Sequence, residues 1–207
     1  MKLGFFSEGP GPHHEMGRLM LASVAKHMPG LKCYHLTDAT TEALAEPIRL
    51  AEPMPLAVKR TAFYAQLLGD WLYVDTDIIF TRDVRDIFEQ DFDVAFAKRG
   101  EVNDYARAMP YNLGVVFSRN PRFWADILPA IKDLPPKLQA WDGAQLAAGW
   151  YATREWCPYK ILELPEEYNH APAHEHDTSA AILHYKGKLK RWLGYEIGGI
   201  RPQTQSP

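Results

Sequence analysis

The sequence predicts a single α/β domain in which helices flank a mixed, mostly parallel central sheet, and three observations carry this. The first 36 residues run as an apolar strand pattern, a glycine-proline loop, a helical pattern and a second strand pattern. An apolar run, WLYVDTDIIF, is broken in its middle by two carboxylates. The rest of the chain keeps alternating short apolar runs with helical spacing, the pattern of a sheet covered by helices rather than of a bundle or a sandwich. At 207 residues the chain suits one domain, which we assign to residues 1–200, with the tail 201–207, RPQTQSP, expected to fray.

Lys2 to Phe6 reads as a buried first strand, and Gly9-Pro10-Gly11-Pro12 as a loop that lets the backbone approach a ligand. Helical apolar spacing runs from Glu15 to His27 and stops at Pro29-Gly30. Leu31 to Leu36 is the second strand, so this segment forms a βαβ unit whose right-handed crossover pairs the strands in parallel. A proline-rich connection, Pro47 to Pro55, leads to a helix from Leu56 to Leu68 closed by Gly69-Asp70. After the carboxylate-bearing run comes a short helical turn at Val84 to Phe88. Strands follow at Phe92 to Ala97 and Gly114 to Phe117, then helices at Pro121 to Leu134 and Gln139 to Trp150. Lys160 to Leu164 and Ile182 to Tyr185 are the last strands.

Composition excludes several classes. A net charge of −3 argues against a general nucleic-acid binder. No run approaches the ~18 to 20 apolar residues of a membrane span, so any membrane contact is expected to be peripheral. The opening MKLGFFSEGP breaks its apolar stretch too early for a signal h-region. Two isolated cysteines, Cys33 and Cys157, make neither a disulfide framework nor a thiolate metal site, so a reducing cytoplasm is expected.

In a strand, Asp75 and Asp77 stand two apart and point to one side, while Val74, Thr76 and Ile78 face the other. Two like charges converging at a strand end are costly unless a cation neutralises them, and oxygen ligands select Mn²⁺ or Mg²⁺, which bridge carboxylates to phosphate oxygens. A bare D-x-D is more often a solvated turn. The apolar flanks WLYV and IIF change that balance by placing the pair at the mouth of a buried central strand. Near the C-terminus, ILHYKGKLKRW puts His184 at the end of an apolar strand as a candidate third ligand. Lys186 and Lys190 follow it as candidate diphosphate contacts. A lone histidine is more often structural and a basic cluster more often solvated surface.

Taken together and in order, these segments resemble the glycogenin-like and bacterial lipopolysaccharide galactosyltransferase-like group of retaining glycosyltransferases. LYVDTDIIF is similar to that group's L-Y-[LV]-D-x-D strand, whose aspartates hold Mn²⁺ on the donor diphosphate. HYKGKLKRW is similar to its H-x-x-G-x-x-K-P-W element, which implies His184 as third metal ligand, Lys190 on the diphosphate and Gly187 at the nucleotide-sugar donor, with Arg191 in place of the proline. YNLGVVFSRN resembles the N-S-G-V strand, which implies sugar-pocket places for Asn112 and Gly114, with Leu113 in place of serine. In VKRTAFYAQLL, Arg60 stands where the family carries a basic residue near the donor, and Lys59 is the competing candidate. WDGAQLAAGWY resembles the D-Q-x-x-L-N segment, with Gly143 after Asp142 and the amide displaced to Gln145.

The resemblance implies a nucleotide-diphospho-sugar transferase fold of the A-type. It implies transfer of a hexose from a nucleotide-diphospho-sugar, a UDP-sugar, to a glycan, lipid-linked or protein hydroxyl with retention. The base is expected against Phe6, Ser7 and His13, the metal and diphosphate at Asp75, Thr76, Asp77, His184 and Lys190, and the reacting sugar near Asp142, Asn112 and Gln145. Asp93, Lys98 and Asp104 lie where the family shapes its donor and acceptor pockets. The chain is shorter than typical members, which implies a reduced acceptor- or membrane-docking extension. NHAPAHEHD, with His170, His174 and His176, reads as a mobile loop over the donor rather than a second metal site. Three rival readings remain: a non-catalytic sugar-nucleotide or glycan-binding module, a D-x-D phosphatase of the haloacid-dehalogenase type, and a sugar nucleotidyltransferase, which would need a basic loop where SEGPGPHH has none.

Overall fold

The computed structural model describes residues 1–193 apart from 51, 101–102, 141, 175–176 and 178, so the expected frayed tail, residues 194–200 and His176 lie outside the described residues. The chain opens as expected with β1 (Lys2–Phe6), α1 (Pro12–His27) and β2 (Lys32–Thr37). Helix α1 begins at Pro12 rather than Glu15 because the proline sits in its first turn, where a missing N–H costs nothing. The proline-rich connection is a strand in part: β3 (Glu46–Arg49) pairs in parallel with β2 at the sheet edge, where Pro47 is tolerated.

Helix α2 (Leu56–Tyr64) ends earlier than Leu68, in a turn that leads to Gly69 at φ +93°. Then come β4 (Trp71–Val74) and β5 (Ile78–Phe80). A 3₁₀ turn at Arg85–Glu89 precedes β6 (Val94–Lys98). Helix α3 (Asp104–Ala108) has no counterpart in the expected elements; Asn103 caps it by accepting from Ala106 N–H at 2.8 Å. Strand β7 (Tyr111–Ser118) and helix α4 (Pro121–Lys132) follow. The helix expected over Gln139 to Trp150 is two, α5 (Pro136–Ala140) and α6 (Gly143–Ala152). The chain closes with β8 (Ile161–Leu164), a 3₁₀ turn at Glu166–Tyr168, β9 (Ile182–His184) and a 3₁₀ segment at Gly187–Trp192.

Seven strands form the main sheet in the order β3-β2-β1-β4-β7-β6-β8. Only β7 runs against its neighbours β4 and β6, so the sheet is mixed and mostly parallel. Alternation along the strands feeds two cores. Leu3, Phe5, Leu72, Val74, Val115 and Phe117 pack toward Met20 and Val24 of α1. Trp71, Tyr73, Phe96 and Val116 pack toward Phe63 of α2 and Trp124 and Ile127 of α4. Each fully buried side chain of this size contributes about 1.5–3 kcal/mol.

WLYVDTDIIF is not one strand. β4 ends at Val74, the chain turns through Asp75, Thr76 and Asp77, and β5 leaves the sheet to pair antiparallel with β9, Ile78 opposite His184. The two carboxylates therefore converge because a turn folds them together, not because a strand alternates. The β5–β9 ribbon brings His184 to the turn across more than a hundred residues of sequence.

Candidate functional site

Where the C-terminal ends of β1 and β4 meet the N-terminus of α1, a cavity of about 580 Å³ opens. Asp75 is held by two bonds. Its N–H donates to the Gly114 carbonyl at 2.8 Å, and its Oδ1 accepts from Arg60 Nη2 at 2.8 Å. Arg60 also donates to the Tyr64 hydroxyl at 3.2 Å, and Tyr64 stacks on Tyr73 with ring centroids 3.8 Å apart. Asp77, nearly buried, lies 3.2 Å from His184 Nε2 and 2.9 Å from Lys190 Nζ. Burial pushes the Asp77 carboxyl up, but the hydrogen bond and charge of His184, with Lys190, hold it well below the usual carboxylate range.

The tautomer of His184 follows from Asn169. The Asn169 amide nitrogen donates to the Asn112 carbonyl at 3.0 Å, so its oxygen is the atom facing His184 Nδ1 at 2.7 Å and must accept. Nδ1 therefore carries the proton toward Asn169, and Nε2 faces Asp75 and Asp77. This is the second-sphere arrangement that orients a ligating histidine.

One oxygen or nitrogen from each of Asp75, Asp77 and His184 lies within 4.8 Å of the others. Two carboxylates and an imidazole, one face open to a cavity, fit a hard divalent cation. Gly114 makes room for this cluster. A Cβ there would sit 2.2 Å from His184 Cε1 and 3.1 Å from Asp75 Oδ2. The β6–β7 register slips between Phe96 and Ala97, a bulge that releases Leu113, Gly114 and Val115 from β6 beside the cavity.

Phe6, Ser7, His13, Arg60, Thr76, Asn112, Asp142, Gln145, Lys186, Gly187 and Lys190 all line the cavity with Asp75, Asp77 and His184. His13 Nδ1 lies 3.2 Å from the Thr76 hydroxyl. Asn112 Oδ1 accepts from Gly114 N–H at 3.1 Å, and Gln145 Oε1 from Leu113 N–H at 3.3 Å. Gly143 explains the altered DGAQ segment: a Cβ there would lie 2.7 Å from the Leu138 carbonyl, so no side chain fits beside Asp142 and Gln145 presents the amide one turn on. Gly187, at φ +53°, turns the chain after β9 and returns Lys190 to Asp77.

Other expectations are corrected. Lys59 does not line the cavity; its buried ammonium ends on Glu8 at 2.5 Å, so of the two neighbours Arg60 is the one that reaches the cavity, and Glu8, which lines it, is held by Lys59 of α2. Asp93 bonds Asn120 and the Lys160 N–H, Lys98 pairs with Glu163, and Asp104 with Arg107, all away from the cavity. Their neighbours Arg99 and Tyr105 face it instead. The start of the histidine-rich segment is tied to the sheet: His170 N–H donates to Ile182 O, and His184 N–H to His170 O. Asp177 gathers Ala173 N–H and Ser179, and neither His170 nor His174 lines the cavity. Tyr64, Asn169, Arg99 and Glu8 were not anticipated.

The wall at Ser7 contains a pH-sensitive joint. His35, fully buried, accepts from Leu44 N–H at Nδ1, so its Nε2–H donates to Ser7 O at 3.1 Å. Burial above all, with His14 nearby, pushes the ring from 6.5 down to about 4. The unfolded chain thus binds the proton first, and the stabilisation present above pH 6.5 is lost as pH falls toward 4. Between pH 7 and 5 this costs about 2 kcal/mol, or roughly 4–8 °C in Tm. A His35→Asn variant, though less stable, is expected to show a shallower loss of Tm over that interval; an equal loss would refute the assignment.

The sequence matches no known family model and no curated protein. Solved structures do match. The glycosyltransferase GlyE of Streptococcus pneumoniae TIGR4 superposes with a TM-score of 0.63 at 17% identity over 90% of this chain and 55% of its own. The galactosyltransferase LgtC, solved with donor and acceptor sugar analogues, gives 0.63 at 13% identity over 91% and 88%. Apo mouse xyloside xylosyltransferase 1 gives 0.59 at 10% over 88% and 96%. The chain spans about half the length of the pneumococcal protein. It has the A-type nucleotide-diphospho-sugar transferase fold, and it resembles the glycosyltransferases built on it. No helix among the described residues is long and apolar enough to cross a membrane.

Proposed function

We propose that this chain is a glycosyltransferase that moves a hexose from a UDP-sugar to a hydroxyl of a glycan, lipid-linked or protein acceptor, with retention. Its cofactor is Mn²⁺ or Mg²⁺, and it works in the cytoplasm with any membrane contact peripheral. The observation that carries this reading is the convergence of Asp75, Asp77 and His184 on one point of the cavity wall, against a glycine that leaves room for nothing else.

Bound at these three residues, a divalent cation supplies Lewis-acid neutralisation of the departing diphosphate. The chain's own groups do the rest. Asn169 fixes the His184 ring, while Lys190 and Arg60 bring two further positive charges to the place where negative charge develops. Phe6, Ser7 and His13 offer a wall and polar atoms to the base. Asn112 and Gln145 turn amides toward the sugar, and Asp142 positions the sugar or the acceptor hydroxyl. Leaving-group charge is met by cations, so no protonated general acid is needed.

The test is a panel of nucleotide sugars with Mn²⁺, reading released UDP with and without chelator. Release from at least one UDP-sugar, abolished by chelation, is expected. Metal-dependent UDP binding without release from any donor would favour the non-catalytic module; neither binding nor release would sink the proposal.

A further inference from the structure

Arg99 follows β6 and lines the cavity beside Gln145. Its Nε–H donates to the Met109 carbonyl at 2.9 Å, its Nη2 to Gln145 Oε1 at 2.8 Å, and its guanidinium lies 5.0 Å from the Tyr105 ring centroid. All three partners are neutral. The neighbouring cations differ: Arg60 rests on Asp75, Lys190 on Asp77, and Lys59 on Glu8. Among the described residues no carboxylate stands within ion-pairing distance of Arg99; Asp142 lines the same cavity but lies beyond it.

A half-buried guanidinium with no counter-charge among the described residues is better satisfied when a ligand supplies one. Two of its five N–H donors are used, and the rest form a planar fork that matches a carboxylate. We infer that Arg99 binds an anionic substituent of the substrate sugar, and that the donor is a UDP-hexuronate. This rests on the proposed function and names its substrate class. The position favours the donor: Gln145 links Arg99 to the N–H of Leu113, and the next residue, Gly114, packs against the Asp75–Asp77–His184 cluster where the diphosphate would end. The competing role, a latch between β6 and α6, would weaken all donors alike.

Calorimetry with Mn²⁺ on UDP, UDP-glucose, UDP-galactose and their two uronate counterparts separates these roles, using wild type, Arg99→Met and Arg99→Lys. Wild type is expected to bind one uronate roughly 10-fold more tightly than its neutral counterpart. In Arg99→Met that ratio should collapse toward one while UDP affinity holds, and Arg99→Lys should restore part of it. If neutral donors bind best, but glucuronate or galacturonate added as acceptor stimulates UDP release in wild type and not in Arg99→Met, the anion belongs to the acceptor and the donor assignment falls. Uronates bound no better than neutral donors, with all donors shifted equally by Arg99→Met, would overturn the inference altogether. Failure of UDP itself to bind with Mn²⁺ would instead count against the proposed function.

Discussion

In Asp77→Asn, Mn²⁺-dependent release of UDP from the preferred donor is expected to fall at least about 1,000-fold, the loss of several kcal/mol of charge stabilisation. The substitution keeps the volume of a nearly buried side chain and leaves the backbone carbonyl that accepts from Tyr185 N–H at 2.8 Å, so the β5–β9 junction survives. What it removes is charge. Asp77 is held ionised by His184 and Lys190, and a carboxamide can neither balance them nor ligate a hard cation as a carboxylate does. His184→Ala is expected to lose metal-dependent UDP binding as well, because Asp75 and Asp77 would then supply only oxygens from one turn. Calorimetric titration of Mn²⁺ with UDP reads both variants. Retained Mn²⁺-dependent binding in both would mean that the cluster is an ordinary buried ion-pair network, with a stability cost of about 1–3 kcal/mol on breaking it and no role in catalysis.

The three candidate ligands were legible because each sits beside an apolar run that only a buried strand explains: WLYV before the aspartates, IIF after them, and AIL before the histidine. The geometry that unites them was not. Period-two alternation puts Asp75 and Asp77 on one side of a strand, yet the polypeptide leaves the sheet between them, and the pairing of Ile78 with His184 is a long-range fact with no local trace. Asn169 was invisible for the same reason. It lies in a segment whose histidines drew the eye, while its own amide spans Asn112 and His184.

Arg99 and Tyr105 were missed by one residue each. At the end of a strand adjacent positions face opposite ways, so Lys98 goes to Glu163 on β8 while Arg99 turns into the cavity. Lys59 and Arg60 show the same sensitivity on a helix, where neighbours differ by about 100° and only one can reach the site. Tyr64 reads in sequence as one more aromatic of a helix core, and it is one, stacked on Tyr73. Its hydroxyl nevertheless holds Arg60 on Asp75. Apolar patterning thus located the wall of the site, and side-chain direction within the wall needed the fold.

Gly114→Ala is expected to abolish metal-dependent UDP binding, by roughly 100-fold or more, although it changes no candidate ligand. Gly114 lies within β7 and is not among the glycines with positive φ, so alanine meets no backbone penalty; the whole cost is steric. Its methyl would press to 2.2 Å from His184 Cε1 and 2.6 Å from Nδ1. The ring cannot step aside without giving up Asn169 at 2.7 Å and Asp77 at 3.2 Å, and β7 cannot recede without breaking the Asp75 N–H bond to the Gly114 carbonyl. Overpacking of this kind costs about 1–3 kcal/mol, or roughly 2–12 °C in Tm for a chain of this length. A double-variant cycle then separates crowding from general damage. If the ring is what the methyl strikes, Gly114→Ala costs little Tm in a His184→Ala background while UDP binding stays lost in both. A full Tm penalty in that background would place the strain in β7 itself, and the glycine would be there for the strand rather than for the histidine.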